Sequence, residues 1–327
     1  MQKWNDALNL RALRTFVATA ESGLLARASA KLNISQPAAS RQIQTLETEL
    51  GVRLFHRLGR TLQLTAEGED ILQQSRRLLA DADLLTERAR ALKGGQTGTL
   101  RVAATPHVIA TLLAQFLPNY RRRHPDVEVL LMEGGAARQP SRLERGEVHL
   151  AIMPVGLEQF SGRLLYPVHA VAAFASTHAL RRHRVAEVNA LANESLLLLR
   201  HEFGSRAWFD AACQIAQIRP RVLLESSAPD TLVDLAAVGY GVAVLPSTVA
   251  VRNENVRVAP LVQRGASIGR WSMIGWDRQR SLPLYADRFV EELVAHSQRA
   301  YPGRKFLRHA PALPRPKAAR DGSWIAA

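Results

Sequence analysis

The sequence predicts a multidomain fold class: an all-α-rich winged helix-turn-helix domain, a long linker helix, and an open α/β module in two lobes. Three observations predict it. Residues 8–65 hold short helical runs that end in "RLFHRLGRTLQLT". Residues 66–93 keep a narrow apolar stripe through a single unbroken helical pattern. From "TLRVAATP" onward, short β-type runs alternate with helical ones. With 327 residues the chain is too long for one compact core.

In the first block, "LRALRTFVATAE" places Leu10, Leu13, Phe16, Val17 and Ala20 on one helical face. "ARASAKLN" reads as a second short helix with Ala28 and Leu32 inward, and "NIS" as a turn that carries no glycine. A third helix follows in "ISQPAASRQIQTLE". Ser35 is placed to cap it, and Pro37 falls in the first turn, where its missing N–H is no loss. Ala39, Ile43, Leu46 and Leu50 form its apolar stripe, while Gln36, Ser40, Arg41 and Gln44 lie elsewhere on its surface. Two short helices, a tight turn and a helix with a polar outer face follow the helix-turn-helix plan, here over about residues 25–44. "RLFHRLGRTLQL" reads as a hairpin turning at Gly59, a wing that brings Arg53, Arg57 and Arg60 beside the third helix.

A helix fits the major groove, where base edges present donors, acceptors and methyl groups. Gln and Arg bond bases in two-pronged fashion, and wing arginines position a domain on the backbone without reading sequence. Residues 1–65 carry nine Lys/Arg against four Asp/Glu, which suits a polyanion. Double-stranded DNA is therefore the expected partner of this block.

Thr65 is a plausible cap for the linker helix, with Glu67 and Glu69 near the positive end of its dipole. Ile71, Ser75, Leu78, Ala82, Leu85, Ala89 and Leu92 alternate spacings of four and three, a heptad seam suited to a partner helix. The expectation is a dimer through residues 66–93, presenting two recognition helices to half-sites ~34 Å apart or a multiple of that. "KGGQTG" then breaks the helical pattern.

In the α/β module, "TLRVAA", "VEVLLME" and "VHLAIMP" read as strands that alternate with helices, which implies parallel pairing. "GRLLYPVHAVAAFAS" is where the chain is expected to cross to a second lobe, and "RWSMIGWD" reads as the returning strand. Ligands bind where strand ends and helix N-termini converge. Thr105 and Pro106 open a helix whose free N–H groups suit a carboxylate.

Composition limits the alternatives. Net charge is +14 and hydrophobic residues make up 47%. No uninterrupted apolar run reaches the ~18 residues of a membrane span, and the N-terminus lacks the apolar core of a signal peptide. The single Cys213 cannot form an internal disulfide, so a cytoplasmic location is expected. "FDAACQIAQ" places that thiol in an apolar, helical stretch. No HExxH, P-loop or CxxC pattern occurs, so no catalytic residues, metal site or cofactor are expected. An architectural DNA binder without a ligand is the rival reading. The ~200-residue α/β module argues against it, because ordering such a module is costly if nothing is sensed. The basic, proline-bearing end, residues 299–327, reads as a disordered tail.

"RTFVATAESG", "ARASAKLNISQPAASRQIQTLETELGVRLFHR" and "LTAEGE" occur in the order seen in LysR-type transcriptional regulators, which the chain closely resembles over about residues 8–298. The resemblance implies a winged helix-turn-helix over 8–65, a linker helix over 66–93, and a periplasmic-binding-protein-like effector domain over 94–298. Lobe I would span about 99–167 and 270–298, and lobe II about 168–269. It implies dimers that assemble into tetramers on an interrupted dyad, a small, anionic effector of unidentified structure, and RNA polymerase as a candidate partner. DNA contacts would fall on Ser35, Gln36, Pro37, Ser40, Arg41, Gln44, Arg53 and Arg57. Effector contacts would come from Thr105, Pro106, His107, Gly134, Gly135, Pro154, His201, Phe203 and the segment before Pro246, with His107 and His201 as anion binders. Two departures from the family pattern are Leu24–Leu25–Ala26, where a capping Ser or Thr is usual, and His149, where Asp is common.

Overall fold

The computed structural model describes residues 9–58, 61–92, 98–280, 282–318 and 324–325. The chain divides into two compact units, Met1–Lys93 with Glu144–Glu147, and Gly94–Leu143 with Val148–Ala327. The first holds α1 (Leu10–Ser22), α2 (Leu25–Lys31), α3 (Gln36–Leu50), the antiparallel pair β1 (Phe55–Leu58) and β2 (Thr61–Leu64), and α4 (Ala66–Leu92).

Local chemistry sets these boundaries. The Asn9 side chain caps α1 by accepting from the Arg11 amide at 2.8 Å. Ser35 caps α3 by accepting from the Ala38 amide at 3.3 Å, with Pro37 in the first turn as expected. Leu24 leaves α2 without a side-chain cap. The turn between α2 and α3 needs no glycine because Asn33 takes the left-handed conformation at φ 53°. Thr65 starts α4 by accepting from the Gly68 amide at 2.8 Å and donating to the Arg53 carbonyl at 2.7 Å.

Leu13, Phe16, Ile43, Leu46, Leu54 and Phe55 build the core of this unit. Phe16 meets Phe55 edge to face at 5.5 Å, worth about 0.5–1.5 kcal/mol beyond the area buried. Leu10 departs from expectation: it sits in the first turn of α1, 40% exposed, and Ala12 takes the inward place. The start of the α4 seam departs too. Ser75 is buried and Ile71 packs on this same core, together with Leu72 and Leu79. Among the described residues, the large apolar side chains left facing solvent on α4 are Leu78 and Leu85.

The second unit is built on a mixed sheet. Lobe I takes β3 (Gly98–Ala104), β4 (Val127–Glu133) and β5 (Leu150–Pro154), in parallel, covered by α5 (Pro106–Val108), a π turn, α6 (Ala114–Arg123), α7 (Gln139–Glu144) and the closing α10 (Leu284–Arg299). Lobe II takes β7 (Ala186–Glu187), β8 (Ser195–Leu199), α8 (Gly204–Ala216), β9 (Arg221–Ser226), α9 (Pro229–Ala237), β10 (Val242–Pro246), β11 (Val256–Gln263) and β12 (Ala266–Ser267).

Two long strands join the lobes. β6 (Phe160–Ala175) pairs over Phe160–His169 with β13 (Gly269–Asp277), and over Ala170–Ala175 with β10 and β11. His169 and Ala170 thus mark the point where one strand changes partners, the kind of switch point beside which open α/β sheets bind ligands. The register of β13 slips between Trp271 and Met273, and such irregularities re-aim side chains.

The expected disordered tail is corrected. Past α10 the described residues of 299–325 dock on this second unit. Tyr301 stacks on Tyr166 at 5.2 Å and 4°, Phe306 and Leu313 are buried, and the Trp324 indole donates to the Gly162 carbonyl at 2.8 Å. β14 (Lys317–Ala318) pairs with β15 (Trp324–Ile325). Gly303 holds φ +86°, and a Cβ there would come within 2.6 Å of the Ser247 carbonyl, so only glycine passes at this point. Prolines that fix φ reduce the entropy lost on docking, an effect that composition read as disorder does not show.

Candidate nucleic-acid interface and ligand cleft

α3 turns its apolar stripe into the core and presents Ser35, Gln36, Pro37, Arg41 and Gln44 to solvent, with Ser40 half-buried. Gln36, Pro37, Ser40 and Gln44 border a groove of about 1270 Å³ that Arg53 closes from the wing side. Arg41 stands outside this groove, on the exposed ridge of α3. Arg57 lies on β1, and its side chain, like Gly59 and Arg60, falls outside the described residues. Leu24, Leu25, Ala26, Thr48 and Thr61 also border the groove, positions that the pattern of α3 alone does not reveal.

Three cations of this unit are paired away from α3: Arg14 bonds Asp83 at 2.7 Å, and Glu21 takes Lys31 at 3.2 Å and Arg76 at 3.5 Å, while Arg11, Arg27 and Arg77 meet no carboxylate among the described residues. Arg41 and Arg53 meet no carboxylate among the described residues. Glu47, the acid nearest the groove, is occupied in accepting the Leu54 and Phe55 amides at 2.8 and 3.2 Å. What remains on this face is a set of hydrogen-bonding side chains and two uncompensated guanidinium groups, the chemistry that base edges and phosphates require.

In the second unit a cleft opens where the lobes meet at β6 and β13. Of the residues named from the sequence, Thr105, His107, Pro154 and Phe203 line it. Tyr166, Trp208, Thr248, Arg270, Trp271 and Ser272 line it as well. Those residues were missed because they sit on the crossing strands, on α8 (Trp208) and in the turn after β10 (Thr248), whose positions around a cleft only the tertiary fold defines. The sequence signal was present in the segments "GRLLYPVHAV" and "RWSMIGWD", read only as crossings.

Four of the residues named from the sequence do not line the cleft. Pro106 opens α5 and stays off the lining. Gly134 and Gly135 stay off it too, between β4 and the short helical turn that follows. A Cβ on Gly135 would lie 2.7 Å from the Glu202 carbonyl of the opposite lobe, so its absence permits close approach. His201 points at acids: its ring nitrogens lie 3.5 Å from Asp210 and 3.9 Å from Glu225, and it does not line the cleft. Those same carboxylates hold the buried Arg206, which also donates to the Leu199 carbonyl at 2.9 Å and roots the turn carrying Phe203.

The lobes are closed on one another. The Ala137 amide donates to the Glu202 carbonyl at 3.2 Å, and the Thr111 hydroxyl to the Thr248 carbonyl at 3.1 Å. The remaining cavity is about 60 Å³, room for a few waters and far below the ~300–1,000 Å³ of ordinary ligand pockets. Entry of a ligand therefore requires the lobes to part.

Within the cleft, His107 Nδ1, Thr248 Oγ1 and Trp271 Nε1 are buried without a hydrogen-bond partner. Unpaired buried polar groups cost about 1–3 kcal/mol each, so a ligand that satisfies them recovers that energy. Burial pushes the His107 imidazole down to about 4, so it meets a ligand as a neutral ring, its other nitrogen 3.1 Å from the Thr105 hydroxyl. Arg270, exposed and without a carboxylate partner among the described residues, is the cation on the lining.

The comparisons with known proteins follow the same division. A family model described as "Bacterial regulatory helix-turn-helix protein, lysR family" matches residues 10–69, and one described as "LysR substrate binding domain" matches residues 93–298. The chain is 29% identical over 260 residues to the regulator XapR of Escherichia coli strain K12, covering 78% of this chain and 88% of that one. It is 31% identical over 253 residues to a hydrogen peroxide-inducible genes activator of Dickeya chrysanthemi, covering 76% and 82%. Among solved structures, full-length CbnR complexed with its target DNA matches at TM-score 0.63 and 26% identity, covering 88% of this chain and all of the other.

Proposed function

This chain belongs to the LysR family of transcriptional regulators, and we propose that it acts as a homo-oligomer that reads an interrupted dyad in double-stranded DNA and senses a small anionic metabolite. DNA binding by the winged domain and effector binding by the α/β module are what the family does. The observation that supports the assignment of residues is the exposed polar face of α3 with Arg53 beside it, on which neither Arg41 nor Arg53 meets a carboxylate among the described residues. Gln36, Ser40, Arg41 and Gln44 read bases, Arg53 and Arg57 hold phosphates, and Ser35 and Pro37 set the start of the reading helix.

Arg41→Ala is expected to weaken binding to the selected operator by about 1–3 kcal/mol and to relax its preference over random DNA. Arg53→Ala is expected to weaken both DNAs alike and to lower the salt slope by about one. Fluorescence anisotropy on the two duplexes at several salt concentrations separates the roles. Unchanged discrimination in the Arg41 variant would remove it from base reading.

The free donors in the cleft and Arg270 at its edge support an anion. The chain acts by binding, with no cofactor or metal, in the cytoplasm, and RNA polymerase is the partner through which a bound regulator affects transcription. Among the described residues no group of three or more His, Cys, Asp and Glu is placed to hold a metal ion, and no helix is long and apolar enough to cross a membrane.

One relative is named for hydrogen peroxide, and a thiol sensor needs an accessible thiolate. Cys213 is buried in the core of lobe II, where burial and Asp210 push its thiol up to about 11. Brief treatment with stoichiometric peroxide is expected to leave DNA affinity unchanged. A loss of affinity reversed by dithiothreitol would contradict the ligand-sensing reading.

A further inference from the structure

The charge of the chain is not concentrated where DNA is read. Residues 299–318 contain six Lys/Arg and no Asp or Glu, against an excess of fourteen for all 327 residues. This stretch lies beyond the matched family domain, which ends at residue 298. Its docking is two-faced. Tyr301, Phe306, Leu313 and Trp324 fasten it to the α/β module, and the Ser267 hydroxyl donates to the Pro311 carbonyl at 2.6 Å. The opposite face exposes Arg304, Lys305, Arg308, His309, Arg315 and Lys317. None of these side chains meets a carboxylate among the described residues. Lys305 lies over the Phe306 ring at 5.1 Å and Arg315 over the Trp271 ring of β13 at 5.8 Å, so two of the cations are steadied by ring faces while their charge remains uncompensated by a carboxylate among the described residues.

We infer that the C-terminal segment is a docked basic strap that binds the phosphate backbone of DNA, a second nucleic-acid contact separate from the winged domain. Phosphate contacts need only fixed positive charge and donors, and each one releases condensed counterions. An uncovered row of cations costs stability through mutual repulsion, and a polyanion removes that cost. A lipid surface fits less well, because the described exposed side chains of 299–318 include no large apolar group to insert. Anchoring matters for affinity, since a strap already ordered on the module loses less conformational entropy on binding than a free tail would.

The inference rests on DNA being the partner of this chain, and the test separates the two. The full-length protein carrying Arg304→Gln, Lys305→Gln, Arg308→Gln and Lys317→Gln together is compared with the unaltered protein on a long fluorescein-labelled duplex of arbitrary sequence, across a salt series. Arg315 is retained because it packs on Trp271. The expected result is a slope of log affinity against log salt shallower by about 2–3, at ~0.9 for each phosphate no longer neutralised, with at least a tenfold drop in affinity at low salt and a thermal midpoint no lower than that of the unaltered protein. The pair Arg304→Lys and Arg308→Lys is expected to retain the slope. If the quadruple variant does not fold, the pair Lys305→Gln and Lys317→Gln still loses about one to two units of slope. An unchanged slope in a folded variant overturns the strap's binding to DNA, including the case in which its partner is an acidic protein. Failure of the unaltered protein to bind any duplex would instead sink the DNA-binding reading itself.

Discussion

Between about pH 7 and pH 5 the C-terminal unit is expected to lose roughly 5 kcal/mol of stability, enough to unfold a domain of ordinary stability. Three buried histidines account for it. His107 and His169 are each pushed down to about 4 by burial, and neither ring nitrogen of His169 has a partner. His149 is pushed to about 3 by burial and then by the nearby Arg101 and Arg280. It is also fixed as a neutral ring, because its Nδ1 accepts the Arg101 amide at 3.2 Å. In the unfolded chain each titrates near its ordinary value of 6.5. Below about pH 6.5 the unfolded state therefore binds protons that the folded state refuses, so this stability is complete above that pH and falls away as pH drops towards the folded values. The limiting slope is about 1.4 kcal/mol per pH unit for each ring. Urea midpoints measured at a series of pH values give the result directly. A flat midpoint through this window would show that the rings are charged in the folded protein. His149→Asn, whose amide oxygen can still accept from Arg101, is expected to remove about one third of the slope.

Leu85→Glu is the second large effect. Leu85 is 71% exposed and Leu78 is 40% exposed on a helix whose Ile71, Leu72 and Leu79 face their own domain. A partner helix that covers them makes each protomer bring a second winged domain to the same DNA, and the second contact is then intramolecular. A glutamate pair in that seam is expected to yield monomers by sedimentation and to lower DNA affinity by at least about a hundredfold. Gln73→Glu, on an exposed position of another face, serves as the control and is expected to change neither. A Leu85→Glu protein that sediments as the unaltered one does would place the interface elsewhere.

The two effects show what could be read from the residues and what could not. Periodicity placed α3 and its polar face, because one helix has one buried stripe and the pattern ISQPAASRQIQTLE separates the two faces cleanly. It placed only part of the seam on α4, whose sequence carries two superimposed stripes. Leu72, Ser75 and Leu79 pack inward while Leu78 and Leu85 face out, and spacing alone does not say which stripe meets its own domain. The lobes were legible because strand-helix alternation is a local pattern. The lining of the cleft was legible only in part. His107, Pro154 and Phe203 follow strand ends and helix starts, whereas Tyr166 and Trp271 reach it from crossing strands whose facing depends on register and on the slip in β13. His201 misled because a histidine near a helix start resembles an anion ligand, and its acidic neighbours Asp210 and Glu225 come from elsewhere in the sequence. The strap was misread because proline and charge signal disorder, while its few anchors count only once the surface they fit exists.

Base reading by α3 is tested most directly by selection of duplexes from a random-sequence pool with the purified full-length protein at near-physiological salt, followed by sequencing. The expected result is enrichment of an interrupted dyad with two equivalent half-sites about one helical turn, or a multiple of it, apart, and loss of that enrichment with Arg41→Ala. A pool that stays unenriched while the protein still binds DNA would contradict it, because the free face of α3 would then hold phosphates without reading bases.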